Sequence, residues 1–160
     1  MVTAKKRPGA IDSPLFVPIS RYIGRVHTWL YRCTGGRFGG KLRLGAAFRN
    51  PAPTLLLEHR GRKSGKKFTT PLLYIADKHN IVVVASALGH ASDPQWYRNL
   101  MSCPDTHIQI GSIRRPVRAV VANSDERARL WPRLVNAYAD FDSYQSWTER
   151  EIPVVVLEPR

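Results

Sequence analysis

The densest chemistry in the chain lies in nine residues, His59-Arg60-Gly61-Arg62-Lys63-Ser64-Gly65-Lys66-Lys67, of which five are cationic and two are glycine. Arg offers planar, bidentate donors to phosphate or carboxylate, Lys a point charge and Ser a hydroxyl. Glycine lets the backbone turn sharply and brings N–H groups close to a ligand, as in anion-binding nests. Apolar runs flank the stretch, Thr54-Leu55-Leu56-Leu57 before it and Thr69 to Tyr74 after it. A basic loop between two such strands cannot bury its side chains, so it faces water or an anion. The residues suit a phosphorylated or polycarboxylate small molecule. A solvated hairpin tip is the other reading they allow.

A second candidate surrounds Pro94. Ala87 to Pro94 reads as a loop leading into a helix from Gln95 to Met101, with Ser92 or Asp93 able to cap it and Trp96 and Tyr97 in its first turn. A helix start is a place where backbone N–H groups hold an anion or a polar ring. Ser86 closes a β-branched run, and Tyr138, Phe141, Tyr144 and Trp147 recur every three residues. Cys33 and Cys103 stand far apart without a spacing motif, and the five His lack metal-ligand spacing. Neither a disulfide framework nor a metal is expected. His90 carries no catalytic assignment.

The elements that position these residues follow from pattern. The 160 residues are 43% apolar and suit one globular domain. Residues 1–18 read as a basic arm and 19–160 as the domain. A helical stripe of Ile19, Tyr22, Ile23, Val26, Trp29 and Leu30 opens it, with Arg21, Arg25 and Arg32 off the stripe. Such a helix either covers the core or lies on an anionic membrane surface. Thr34 to Gly40 is a glycine-rich loop. Strands are expected at 54–59, 69–76, 81–86, 106–110, 115–122 and 152–157, and a helix from a Ser124-Asp125-Glu126 cap to about Ala139. The first three strands run as consecutive hairpins, so the basic loop is neither a P-loop nor a Rossmann turn. Six mainly antiparallel strands with peripheral helices resolve their edges as a closed or split β-barrel.

Charge is uneven. Before residue 93 there are 16 Lys+Arg against 3 Asp+Glu, and from Asp93 onward 9 of each. The excess of +13 therefore belongs to the half with the basic loop and points to an anionic partner: nucleic acid, membrane or cofactor. The aromatics divide evenly, eight before residue 93 and seven after it, rather than gathering among the cations, which argues against a nucleic-acid-binding barrel that stacks bases between cations. No apolar run approaches a spanning helix and no signal-peptide core is visible, so the expected location is the cytoplasm.

Several blocks taken together resemble the deazaflavin-dependent nitroreductase family. They are Gly61-Arg62-Lys63-Ser64-Gly65, Thr70-Pro71-Leu72, Val83-Val84-Ala85-Ser86 and Pro94-Gln95-Trp96-Tyr97-Arg98-Asn99-Leu100. Glu126-Arg127-Ala128, Trp131 to Val135, Tyr144 to Thr148 and Ile152 to Pro159 continue them in family order. The similarity covers nearly the whole chain from Trp29. It implies a six-stranded antiparallel split β-barrel of the FMN-binding type with peripheral helices. It also implies coenzyme F420, a deazaflavin with a phosphate and polyglutamate tail, rather than FMN, and hydride transfer to a quinone, an activated alkene such as an enone, or a nitro compound. Nucleic acid is then not expected as a partner. A non-catalytic F420 carrier is the alternative.

By the same resemblance, cofactor contacts fall on Arg62, Lys63, Ser64, Lys66, Phe68, Thr69, Thr70, Pro71, Leu72, Ala85, Ser86, Ala87, Trp96, Tyr97, Arg98 and Asn99. Substrate contacts fall on Trp29, Tyr138, Phe141 and Tyr144, and the candidate proton donors are Ser86, Tyr138 and Tyr144. Two positions depart from the family pattern. Phe68 stands where members commonly carry Arg, with Lys66 and Lys67 left to supply charge. Phe141 stands where some nitroimidazole-reducing members carry Tyr, and Phe cannot donate a proton.

Overall fold

The computed structural model describes residues 16–42 and 51–160, with side chains described for 23–41 and 51–160. The expected basic arm lies mostly outside these residues, but its last three positions are helical: α1 runs Phe16–Cys33. Next come β1 (Lys41–Leu42), β2 (Ala52–Arg60), β3 (Lys67–Asp77) and β4 (Asn80–Val84). After them follow α2 (Gln95–Ser102), β5 (Asp105–Ile110), β6 (Ile113–Val121), α3 (Ser124–Ala137), α4 (Asp140–Ser146) and β7 (Val154–Pro159). All pairings are antiparallel, in the order β2-β3-β4-β7-β6-β5, and β5 pairs back onto β2 through Leu56–Gln109 and Leu57–Ile108. Six strands thus close the expected barrel and leave it no long bare edge. The two-residue β1, which the sequence pattern did not reveal, pairs with Ala52 and Pro53 of β2.

β4 and β7 are buried on both faces, which is why each reads as an unbroken β-branched run. Ile81, Val83, Val155 and Leu157 point into the barrel, where Trp96 and Leu100 of α2 plug one end. Val82, Val84, Val154 and Val156 face outward onto Leu130, Leu134, Tyr138, Phe141 and Tyr144 of the α3–α4 layer. Leu100 has no exposed surface, so its truncation to Ala costs about 2–5 kcal/mol.

Helix caps differ from expectation. The α3 N-cap is Asn123, whose Oδ1 accepts the Glu126 N–H at 2.9 Å, one residue before the expected Ser124. At α2 the N-cap is Pro94, with no side-chain cap from Ser92 or Asp93, because Asp93 is engaged elsewhere by Arg150.

The apolar stripe of α1 does not cover the core. Trp29 is 64% exposed and Ile23 58%, with Val26 and Leu30 also open. The residue that anchors the helix is Tyr31, off the stripe and 1% exposed. Its hydroxyl donates to the Thr54 carbonyl at 3.0 Å and accepts the Gly111 N–H at 2.8 Å. Ile19 and Tyr22 lie outside the described side chains.

Candidate functional site

The basic loop is the tip of the β2–β3 hairpin. It is closed by Gly61 N–H to the Lys66 carbonyl, 2.8 Å, and Gly65 N–H to the Gly61 carbonyl, 2.7 Å. Gly65 sits at φ +66°, a turn conformation that L side chains resist. Arg62, Lys63, Ser64 and Lys66 are all exposed at this tip.

A buried polar chain ties the loop to α2. Asn99, 1% exposed, accepts the Arg62 N–H on Oδ1 at 3.1 Å, and the Gln95 amide reaches the same oxygen at 3.4 Å. The Arg62 N–H can only donate, so it sets the carboxamide orientation and turns Nδ2 toward His59 Nδ1, 2.9 Å away. His59 Nδ1 therefore accepts, the proton sits on Nε2, and Nε2–H donates to Thr70 Oγ1 at 3.0 Å. Burial lowers the His59 pKa to about 4, so the ring is neutral at physiological pH. Phe68 stacks on it with centroids 5.6 Å apart. Phe68 thus roofs the histidine.

Beside this hairpin, on the side of β5, lies a cleft of about 550 Å³. Arg32, Arg60, Lys67, Phe68 and Thr69 line one wall, and Glu58, Asp105, His107 and Arg114 another. Its acids are already engaged. Glu58 takes a two-pronged bond from Arg114 at 2.8 and 2.9 Å, which holds its pKa below the usual range, and Asp105 meets Arg118 at 3.0 Å and Arg160 at 3.4 Å. Arg32 donates to Thr69 Oγ1 at 2.9 Å. Among the described residues, neither Arg60 nor Lys67 has an ion-pair partner. The cleft is left with two cations, Arg60 and Lys67, that no described carboxylate pairs.

A second feature sits where the barrel splits. The β3–β4 ladder stops at Tyr74–Val83. Continued in the same register, it would set Ser86 opposite Pro71 and Ala87 opposite Thr70. Instead the chain leaves β4 and bends into a tight turn, Ala87–Gly89. Pro71, with no N–H to give a ladder, lies along this seam. By register, the seam would lie between two segments distant in sequence, Thr69–Leu72 and Ala85–Ala87. Ser86 has right-handed helical torsions and Ala87 has φ +46°, an arrangement that makes successive N–H groups converge.

The remaining candidates are distributed as follows. Trp96 packs in the barrel core, Tyr97 against it, and Arg98 is half-buried. Leu72 packs on the same core. Trp29 lies one helical turn before Arg32, which reaches Thr69. Tyr138, Phe141 and Tyr144 are each at most 8% exposed and pack on the outer face of β4 and β7. Tyr138 and Tyr144 hydroxyls are 3.2 Å apart. Burial, with the neighbouring hydroxyl second, raises the Tyr138 pKa well above the ordinary phenol range, and burial raises that of Tyr144 as well. Leu88 of the turn packs against this cluster, so the aromatics back the seam rather than line the cleft. Arg32, His59, Arg60 and Arg150 escaped sequence reasoning as individual site residues, whereas Lys67 was expected to supply charge beside Phe68. Arg150 sits among polar residues and resembles any loop arginine.

Comparison with known proteins shows the family and the fold. The model of the F420H(2)-dependent quinone reductase family matches residues 23–159. Rv3178 of Mycobacterium tuberculosis strain H37Rv, provisionally named an F420H(2)-dependent quinone reductase, is 76% identical over 119 residues, spanning 74% of this chain and all of that protein. The F420H(2)-dependent quinone reductase Rv1261c of the same strain is 38% identical over 149 residues, 89% of this chain and 96% of that one. A solved F420-H2 dependent reductase is 34% identical and superposes with a TM-score of 0.62, covering 66% of this chain and 94% of its own. A second structure, a domain-swapped dimer, is 29% identical with a TM-score of 0.64 over 88% of this chain and 99% of its own.

Proposed function

This chain belongs to the F420H(2)-dependent quinone reductase family, and from that premise we propose that the split seam and the adjoining cationic cleft form one site for reduced F420 and a quinone acceptor. The hydride donor is reduced F420, and the protein is an oxidoreductase. The observation that carries the reading is the juxtaposition of two features: a seam with converging backbone N–H groups and a cleft in which no described carboxylate pairs Arg60 or Lys67. A cofactor with a polar ring at one end and acidic groups at the other fits that pairing.

The bound cofactor supplies the hydride, and the chain's own residues bind, orient and shield. Arg62, Lys63 and Lys66 at the hairpin tip, with Arg60, Lys67 and Arg32 in the cleft, would hold phosphate and carboxylates by charge-assisted bonds. Ser64 adds a hydroxyl. Neutral His59, roofed by Phe68, keeps the loop's shape without adding charge. Thr69 to Leu72 and Ala85 to Ala87 would flank the ring across the seam. Trp96 to Asn99 support the loop from behind. Reduction of a quinone to a hydroquinone consumes the hydride and a proton. Ser86, at the seam, or solvent would supply that proton. Tyr138 and Tyr144 are poorly suited to it, because burial makes both weaker acids. With Phe141, they would shape the acceptor's end of the seam.

The open apolar face of α1 supports a further part of the reading. Ile23, Val26, Trp29 and Leu30 are exposed, and Arg25 and Arg32 are exposed beside them. No helix among the described residues is long and apolar enough to cross a membrane. Such a face suits peripheral contact with an anionic bilayer, where lipid-soluble quinones partition. Trp29 would then lie between bilayer and seam.

The deciding experiment is a side-by-side titration with F420 and FMN, followed by turnover of reduced F420 with a naphthoquinone, a cyclohexenone and a nitroimidazole. Saturable F420 binding and turnover fastest with the naphthoquinone are expected. Saturable binding of FMN in place of F420 would overturn the cofactor assignment. F420 binding without turnover of any acceptor would leave a carrier.

A further inference from the structure

We propose that Arg150 is the positioning residue of the site, holding the strained turn at the split seam in the shape that receives the cofactor ring. The proposal rests on the reading that this seam faces the cofactor.

Ala87, Leu88 and Gly89 have φ of +46°, +54° and +73° in succession. For an L residue this left-handed region costs about 1–2 kcal/mol, and residues held there cluster at functional sites. Something must over-determine the conformation. Gly89 is pressed against α4, where a Cβ would stand 2.8 Å from the Tyr144 carbonyl. The other restraint is Arg150. Its guanidinium donates to the carbonyls of Ala85 at 3.0 Å, Ser86 at 2.9 Å and His90 at 2.9 Å, and meets Asp93 Oδ1 at 2.9 Å. Only 16% of the side chain is exposed.

The direction of these bonds decides the role. Arg150 gathers the carbonyl oxygens on both sides of the turn to itself. The turn's N–H groups are left pointing away from it: Gly89 and His90 close the turn internally, on Ser86 and Ala87. Among the described residues no protein acceptor takes the N–H of Ser86, Ala87 or Leu88. Arg150 thus separates acceptors from donors, and the donors are available to a ligand. A lysine cannot do this, since a point charge cannot serve three carbonyls and a carboxylate in one planar fork. Arg150 is in turn set by Gln145, whose amide donates to the Arg150 carbonyl at 2.8 Å.

The test compares Arg150→Lys, Arg150→Met and Asp93→Asn with wild type, and uses Arg129→Met, at the distant Asp77 ion pair, as a control for lost stability. In the cofactor-free protein, amide exchange at Ser86, Ala87 and Leu88 is expected to rise in the Arg150 variants and not in Arg129→Met. F420 affinity is expected to fall about tenfold or more in both Arg150 variants, less in Asp93→Asn, with acceptor KM little changed. Added guanidinium is expected to restore affinity partly to Arg150→Met. Wild-type affinity and wild-type exchange in a folded Arg150→Met would overturn the proposal. Should Arg150→Met not fold, Asp93→Asn decides alone: unchanged exchange and affinity sink the idea. Failure of wild type to bind F420 would instead sink the functional reading, and the exchange measurement would still stand.

Discussion

The carboxamide of Asn99 donates to the His59 ring at Nδ1 across 2.9 Å, 40 residues apart in sequence. That bond joins α2 to the end of β2, and the same carboxamide accepts the Arg62 N–H. The charged tip of the hairpin therefore hangs from a neutral, buried pair. Neutrality matters here: a protonated His59 would lose its acceptor at Nδ1 and face the Asn99 amide with two donors.

The pH dependence of stability follows from that pair. The His59 pKa falls from 6.5 to about 4 on folding, because burial disfavours the charged ring. As pH drops, the unfolded chain binds this proton first. The contribution is complete above about pH 6.5 and is lost progressively toward pH 4, by on the order of 2 kcal/mol. A Tm-versus-pH series should fall through this window in wild type and flatten in His59→Gln. An equal slope in both would refute the assignment.

Asp77 acts in a lower window. Its carboxylate takes bonds from Arg129 at 2.7 and 3.0 Å and from Arg133 at 2.5 Å, which hold its pKa well below 3.8. Stability from this group is present above pH 3.8 and is lost only as pH falls further. Asp77→Asn should lower Tm by several degrees at pH 7 and reduce the steepness of acid unfolding below pH 4. The slope between pH 4 and 6.5 should stay as in wild type, which calorimetry across both windows would check.

The cleft cations should act by charge. Arg60→Gln and Lys67→Gln are each expected to weaken F420 binding by about threefold to tenfold at low salt and by less at high salt. Arg62→Ala combined with Lys63→Ala should weaken it more. A deazaflavin lacking phosphate and glutamates should bind all of these variants alike. Fluorescence titration at two ionic strengths reads this directly, and equal losses for both ligands would show that the cations act through shape instead.

The Tyr138 and Tyr144 hydroxyls share one 3.2 Å contact within the aromatic layer. Tyr138→Phe and Tyr144→Phe should each keep kcat with a quinone within about threefold, since Phe preserves the packing and the lost bond is worth about 1 kcal/mol. A fall of a hundredfold in kcat with an altered solvent isotope effect would make one of them the proton donor. Ser86→Ala is the companion measurement.

Much of this architecture was legible in the chain alone. Two-sided burial writes itself as the unbroken runs Ile81–Val84 and Val154–Leu157, and hairpin order follows from Gly65 and the 77–80 turn. Cations cannot be buried unpaired, so the basic stretch had to be a surface loop. Local chemistry was enough for these because each depends on a residue and its near neighbours. What surrounds a residue from other elements was not legible. The α1 stripe allows a core-covering or a membrane-facing helix, and neither reading singles out Tyr31, which anchors the helix because the Thr54 carbonyl and Gly111 N–H lie there. Register alone decides that Ser86 would stand opposite Pro71 and that the ladder breaks before reaching them. Arg150 looks ordinary in sequence, and Asn99, expected to touch the cofactor, instead ties α2 to the loop; both act over more than 35 residues of chain through bonds that exist only once the barrel has closed. Such long-range hydrogen bonds leave no periodic trace, so only the tertiary structure could show which polar side chains shape the site.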